Sequence, residues 1–490
     1  MKIRIKIDTP IAKNNSEGFE FELDLNNFIY QMFPPNIISY YNAINNAKGD
    51  SSKFIGGTIP DIPGVLPVTG HDIFNYVAKF GTANFQIQAV MKFNGQLNPY
   101  TLLKAVRLSI EAEPVLGSRI IENNPPYWKL RDLDKTKFCS FEKTTDSEQA
   151  VQYFLQQKLD MDNDPMLQLK LISGGFNDTL CIKINHSCCD GTGTKEYLNL
   201  LSEIYSTLER GENYMPKPKN RSRIDQDRLF SFLGINNPES VWNGQLDLPK
   251  NMWPFPWLQG KPVTYRVSVC KLSKEYFSVI SKYAKARGAT INDMILTAVY
   301  RAMFGITGIQ PNIPMDISTT ADLRRYLTDQ KTEGIRNFSG GVDTKLESLG
   351  NEPFEGTLLR VASMMNEIKK NLPGLQSAVG LERVEKAIFS ETLSYYLSAA
   401  QNTTFTEKCS PVVSNLGFIN KSLLKFGDTY VTDAYIVPPA VSAPGILLCI
   451  GTYNNEMTMA MSHYEEQVYS EDIKRLLYTV RKELIEGCLS

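Results

Sequence analysis

Residues 179–211 confine this chain more tightly than any other stretch. TLCIKIN (179–185) reads as a β-strand by its period-two alternation, and only HSCCDG separates it from the helix-periodic run TGTKEYLNLLSEIYSTLERG. In that run Tyr197, Leu201, Ile204 and Leu208 fall on one face, with Thr192 or Thr194 expected as the cap and Gly211 as the stop. PMLQLKLI (165–172), separated from the strand by SGGFND, predicts a hairpin partner. The six residues between strand and helix therefore occupy a strand-to-helix turn.

The rest of the chain extends this mixture. At 490 residues it is too long for one core, and two large units are expected. Residues 1–60 read as an N-terminal hairpin and extension, since 2–8 and 18–25 both alternate with period two. The Gly/Pro-punctuated GGTIPDIPGVLPVTG predicts irregular chain leading into a first half, 61–211. That half holds a strand (NFQIQAVMKF) and an amphipathic helix from near Asn98 carrying Leu102, Leu103, Val106, Leu108 and Ile110. Residues 212–262, with MPKPKNRSR and MWPFPW, are expected to be a crossover linker. The second half, 263–490, starts with the strand VTYRVSVCKL and helices near 273–286 and from Thr290. It ends with the strands GILLCIGTY and EMTMAMSHY and a helix from 470. The fold class is α/β, in mixed α+β two-layer units meeting at a cleft.

Charge narrows the partners. Lysine plus arginine (52) nearly balances aspartate plus glutamate (53), so no bulk positive field is available for nucleic acid or an anionic membrane. MKIRIKIDTP alternates instead of giving a basic start and an apolar run, and no stretch reaches the ~18 apolar residues of a membrane span. A cytoplasmic protein is expected. The eight cysteines are scattered without C-x-x-C pairs, which suggests reduced, buried thiols.

The turn itself, NHSCCDG (185–191), admits three chemistries. A metal site would need three or four converging ligands, whereas the local offer is His186, Cys188, Cys189 and Asp190, with His71 and His463 far off in sequence; no metal is expected. A cysteine nucleophile would need a thiolate-stabilising environment and a base reaching it across the fold. A histidine base has geometry behind it. Leu180, Ile182 and Ile184 face one way and His186 continues their row, while Cys181, Lys183 and Asn185 face the other. Imidazole can take a proton from a hydroxyl, amine or thiol at neutral pH. Asp190 can bond the local backbone or an arginine and lock the loop, and Gly191 permits a tight turn or close packing at the helix entry.

With His186, Asp190 and Gly191 the chain carries H-x-x-x-D-G, and here it resembles the chloramphenicol-acetyltransferase-like superfamily, which includes condensation domains, alcohol acyltransferases and wax ester synthases. Further segments resemble the family in family order from about residue 65 to 485. LNPYTLLKAVRLSIEAEPVLGSRI looks like its early helix and strand, with Glu113 and Gly117 in place of the common His and Arg. LDMDNDPMLQLKLI is similar to the lead-in to its active-site strand, GATINDMILTAV to a helix start matching Asn292 and Asp293, TTADLRRYL to its D/N-L-R segment, and PVVSNLG to its S-N-x-x-G phrase. The chain departs at Asn185, where condensation domains and wax ester synthases usually carry a second histidine, and it lacks the D-F-G-W-G phrase of the plant branch.

The resemblance implies two chloramphenicol-acetyltransferase-like halves with a tunnel between them. It implies no cofactor: the thioester of an acyl-CoA or an acyl carrier is the substrate, and His186 is the general base on a hydroxyl or amine acceptor. Asp190 would be structural, paired with Arg324 or Arg119. Ser414 or Asn415 would supply oxyanion donors, and Asn185 and Asn292 would line the tunnel. Asp293 is explained by a T-x-x-D helix cap with Thr290. The partners are a small-molecule donor and acceptor, with an acyl or peptidyl carrier protein in the condensation alternative, and the chain is expected to be a monomer or homodimer. A catalytically silent binding member of the superfamily is the reading from a different class.

Overall fold

A computed structural model describes residues 2–7, 19–24, 62–80, 83–242, 251–258, 260–406 and 408–489. The chain forms two compact units, Met1–Ile59 and Pro60–Ser490. In the first, strands Lys2–Ile7 and Phe19–Asp24 pair antiparallel, with Lys2 opposite Asp24 and Ile7 opposite Phe19; the rest of residues 1–60 lies outside the described residues.

The second unit is built on two large sheets. The six-stranded one runs Lys425–Phe426, Thr429–Val437, Gln86–Phe93, Asp178–Asn185, Leu167–Ser173, Cys139–Lys143. Asp178–Asn185 is antiparallel to both its neighbours, Cys181 facing Val90 on one side and Lys170 on the other. Helices Pro99–Ala112 and Gly191–Glu209 cover one face, where Leu180, Ile182 and Ile184 meet Leu102, Val106, Tyr197, Leu201 and Ile204. Each such apolar side chain contributes about 1.5–3 kcal/mol by leaving water. On the opposite face Cys181 and Val90 pack on Val151, Phe154 and Leu155. Every residue of Asp178–Asn185 is buried, so the strand is covered on both faces.

The larger sheet runs Ser339–Glu347, Pro314–Asp322, Val412–Phe418, Leu447–Tyr453, Glu456–Tyr464, Ala440–Val441, Ala83–Asn84, with Tyr265–Leu272 also paired to Glu456–Tyr464. Helices Ile291–Thr307 and Ser470–Leu489 pack on it through Leu296, Val299, Met303, Ile473, Leu477 and Leu484. The two sheets exchange strands. Thr429–Val437, late in the chain, pairs with Gln86–Phe93, and Ala83–Asn84, early in the chain, closes the end of the larger sheet.

Two segments read from sequence as irregular are built into the structure. In 212–262, Ile224–Phe232 is a helix, and Arg221 and Asp225 are buried in ion pairs with Asp72 and Arg336. Basic residues that composition assigns to solvent are here held in the interior, because each meets a carboxylate there. Before residue 70, Val65–Pro67 pairs with Tyr127–Leu130, and Thr69 caps helix Gly70–Val77 in a capping box with Asp72. Among the described residues no helix is long and apolar enough to cross a membrane.

Candidate active site

The strand Asp178–Asn185 ends in a turn that its own polar groups close. Asn185 Oδ1 accepts from the Ser187 amide at 2.9 Å, its carbonyl accepts from the Cys188 amide at 2.9 Å, and the His186 amide donates to the Phe85 carbonyl at 2.7 Å. Helix Gly191–Glu209 then starts with Asp190 as its cap, Oδ1 accepting from the Gly193 amide at 2.8 Å. This corrects the expectation for Thr192 and Thr194. Thr194 Oγ1 donates to the Asp190 carbonyl at 3.0 Å and Thr192 Oγ1 to Asp322 Oδ2 at 2.9 Å, because Asp190 already holds the capping position.

The other carboxylate oxygen of Asp190 crosses to the second half of the chain. It accepts from Arg324 Nη1 at 3.0 Å and from the Phe338 amide at 2.7 Å. Burial alone would raise this carboxyl, but the Arg324 charge and hydrogen bonds from Arg324, Gly193 and Phe338 outweigh it and hold it below the usual range. Arg324 also donates from Nη2 to the Arg336 carbonyl at 3.0 Å and stands 3.3 Å from Glu196 through Nε. Of the two candidate arginines, Arg324 is thus the partner. Arg119 is not: strand Ser118–Ile121 turns Ser118 and Ile120 inward and leaves Arg119 exposed.

His186 is half-buried at the end of the strand, its ring 5.5 Å from that of Phe85. Nδ1 lies 3.1 Å from Asn337 Oδ1, and Asn337 Nδ2 donates to the His186 and Ser187 carbonyls at 2.8 and 3.0 Å. Burial lowers the imidazole below its ordinary value, against opposing contributions from its own and the Cys189 backbone, Asp190 and Asn337, so it is neutral at pH 7. Among the described residues Nε2 has no hydrogen-bond partner.

The other expected residues divide. Cys188 and Cys189 are fully buried, their thiols on the Val115 carbonyl and Thr194 Oγ1, and burial pushes Cys189 to about 12 and Cys188 well above a free thiol. A protonated, enclosed thiol does not fit a cysteine nucleophile. No three His, Cys, Asp or Glu side chains among the described residues are grouped to hold a metal ion. Asn185 is fully buried and builds the turn, so it lines no accessible surface. Gly191 serves close packing, since a Cβ there would stand 2.3 Å from Leu416 Cδ2. Asn292 and Asn415 are brought together, Asn415 Nδ2 donating to Asn292 Oδ1 at 3.3 Å, and Ser414 Oγ is 3.4 Å from Thr320 Oγ1. Asp293 sits in its capping box with Thr290. His463 is buried against Ser470 Oγ at 2.9 Å.

Sequence reasoning missed the segment Arg336–Asn337–Phe338. Its three residues hold the turn from both ends: the Arg336 carbonyl accepts from the Asp190 amide and Arg324, Asn337 grips His186, and the Phe338 amide meets Asp190. Nothing local in IRNFSGG marks such a role.

Comparison with known proteins gives the class of this fold, which is chloramphenicol-acetyltransferase-like. Residues 76–313 match the condensation-domain family model. Among curated proteins, a linear gramicidin synthase from Brevibacillus parabrevis is 22% identical over 448 residues, covering 81% of this chain; the chain spans only 6% of that protein's length. The first condensation domain of the calcium-dependent antibiotic synthetase superposes with a TM-score of 0.63 at 16% identity, over 87% of this chain and 96% of that one. Trichothecene 15-O-acetyltransferase from Fusarium sporotrichioides gives 0.63 at 13% identity, over 86% and 95%. The fold that the sequence resemblance implied is thus the fold observed.

Proposed function

We propose that this chain is an acyltransferase, moving an acyl group from a thioester, an acyl-CoA or acyl carrier, to a hydroxyl or amine. The observation that carries the reading is His186: neutral, anchored through Nδ1, and with Nε2 unengaged at the end of the central strand. Nε2 takes the proton of the acceptor as its oxygen or nitrogen attacks the thioester carbonyl. The tetrahedral adduct then expels the thiolate, which recovers a proton from the imidazolium. Asp190 takes no part in the proton transfer, since its oxygens are committed to the Gly193 and Phe338 amides and Arg324. Ser414 and Asn415 are the proposed donors for the oxyanion. No resident cofactor enters this scheme.

A carrier-dependent condensation, with the donor held on an acyl or peptidyl carrier protein, is the second reading, and the condensation-domain match over residues 76–313 favours it. Mass spectrometry of products decides between them, with the purified protein given mixed acyl-CoAs in one arm and loaded carrier proteins in the other, against alcohols and amines. His186→Ala should lower turnover by about 10²- to 10⁴-fold in whichever arm is active. Unchanged turnover in His186→Ala rules out the general base. Tight binding without turnover in either arm points to a silent binding member.

A further inference from the structure

Asn337 is 2% exposed, lies 151 residues beyond His186, and touches the imidazole and the two carbonyls beside it. The orientation of its carboxamide is set by those contacts. The atom 2.8 Å from the His186 carbonyl and 3.0 Å from the Ser187 carbonyl faces two groups that only accept, so it must be the NH₂. The other atom, 3.1 Å from Nδ1, is then the carbonyl oxygen and can only accept, so Nδ1 must carry a proton. In a neutral imidazole that leaves Nε2 bare.

We propose that Asn337 is a positioning residue, which fixes His186 as the Nδ1–H tautomer and so presents Nε2 as the proton acceptor. The proposal rests on the acyl-transfer reading for its catalytic consequence, but the tautomer itself does not. The residue is rigidly supplied. Its neighbour Arg336 ion-pairs with buried Asp225 at 3.0 Å and donates from Nη1 to the Ser222 carbonyl at 2.9 Å. Arg221 Nη1 reaches both the Ile335 carbonyl at 2.7 Å and the Cys188 carbonyl at 3.0 Å. The strap formed by residues 335–338 and the turn are therefore pinned to the same guanidinium, and the Asn337 oxygen cannot shift without breaking charged hydrogen bonds. In many histidine bases a carboxylate occupies this place and stabilises the imidazolium; a neutral amide orients the ring without adding that charge.

The test starts from the whole chain labelled with ¹⁵N-histidine, which has only three histidines to assign, with His186→Ala identifying the signal. Long-range ¹H–¹⁵N correlation at neutral pH should show His186 as the Nδ1–H tautomer; the Nε2–H form would overturn the proposal whether or not the protein is active. Asn337→Ala should mix the tautomers and lower kcat by about 10-fold or more while KM stays within about 2-fold. Asn337→Asp keeps an acceptor toward Nδ1 but turns its second oxygen on the His186 and Ser187 carbonyls, which only accept, so it should lower stability, keep the Nδ1–H tautomer and move the acid limb of the kcat/KM profile to higher pH, since a carboxylate favours the imidazolium. If both variants keep the parent's tautomer and pH profile, Asn337 is only a structural spacer. If the tautomer is as stated but no acyl transfer is found, the functional reading fails and the assignment of Asn337 stands.

Discussion

Arg324 Nη1 stands 3.0 Å from Asp190 Oδ2 with both side chains almost fully buried, tying the cap of one helix to the 3₁₀ turn that follows a strand of the other sheet. Removing one partner leaves a buried charge unpaired, so Arg324→Met should destabilise the fold by about 3–5 kcal/mol. Adding Asp190→Asn to it should recover part of that loss by removing the unpaired charge, though not all of it, because the amide that keeps the cap turns its NH₂ on the Phe338 amide, another donor. Urea unfolding of the two single variants and the double variant measures the coupling; strictly additive losses would show that the pair is not an energetic unit. The pH sign follows from the lowered Asp190 carboxyl. Its contribution is present above the unfolded carboxylate range, near pH 4, and is lost as pH falls through the lower folded value, a slope that Asp190→Asn should flatten.

The two cysteines of the turn should be inert. Burial keeps both thiols protonated well past neutral pH, and each sulfur faces an internal acceptor. Cys188→Ala and Cys189→Ala should retain acyl transfer within a few-fold, and a thiol reagent at pH 8 should modify neither residue while the protein is folded. Rapid labelling of Cys188 with parallel loss of turnover would return the nucleophile reading to consideration.

Much of this site was legible, and the limits are physical. The strand, turn and helix around His186 follow from local periodicity, as do the Glu456–Tyr464 strand and the Ser470–Leu489 helix. That Asp190 needs an arginine follows from burying a carboxylate, but sequence could not choose between Arg324 and Arg119, since the choice depends on which face of Ser118–Ile121 is covered. Strand exchange was illegible for a similar reason: TYVTDAYIV alternates in the same way whichever sheet it joins. Asn337 lay furthest from view, because its contact with His186 spans 151 positions and its residue type is common in loops.

The glycine that names the motif should be less strictly required than the one two residues on. A Cβ at Gly191 would meet Leu416 Cδ2 at 2.3 Å, the tip of a flexible side chain. A Cβ at Gly193 would stand 2.7 Å from Cys189 Cβ and 3.0 Å from the Arg336 carbonyl, which is backbone and also receives Arg324 and the Asp190 amide. Alanine elsewhere in a helix gains up to about 1 kcal/mol over glycine, which offsets part of the Gly191→Ala clash. Gly193→Ala should instead cost about 1–3 kcal/mol and lower turnover, because relief of the overlap pushes on the strap that orients His186. Thermal unfolding and kinetics on both variants check the order; a Gly191→Ala variant less stable than Gly193→Ala reverses it.

Lys183, on the same strand as the site but on its other face, should give the fold a pH slope. It is 1% exposed, with Nζ donating to the Gln157 carbonyl at 2.6 Å and lying 4.1 Å from the Phe154 ring centroid. Among the described residues no carboxylate comes within ion-pair distance. Burial, only partly opposed by Cys181 and Asp164, pushes its ammonium down to about 7. In the unfolded chain the group titrates near its ordinary value of about 10.4, so between about pH 7 and 10.4 the unfolded state binds more protons. Its contribution to stability therefore rises with pH across that window and is flat below it. Lys183→Met removes the charge while keeping most of the volume, so its stability relative to the parent should be highest at pH 7 and shrink toward pH 10. Because other buried groups titrate in the same range, the quantity to follow is the difference between the two proteins in urea unfolding at each pH. A difference that stays constant from pH 7 to 10 means that Lys183 keeps its charge in the folded protein, and the strand then tolerates an ammonium that its surroundings give no reason to expect.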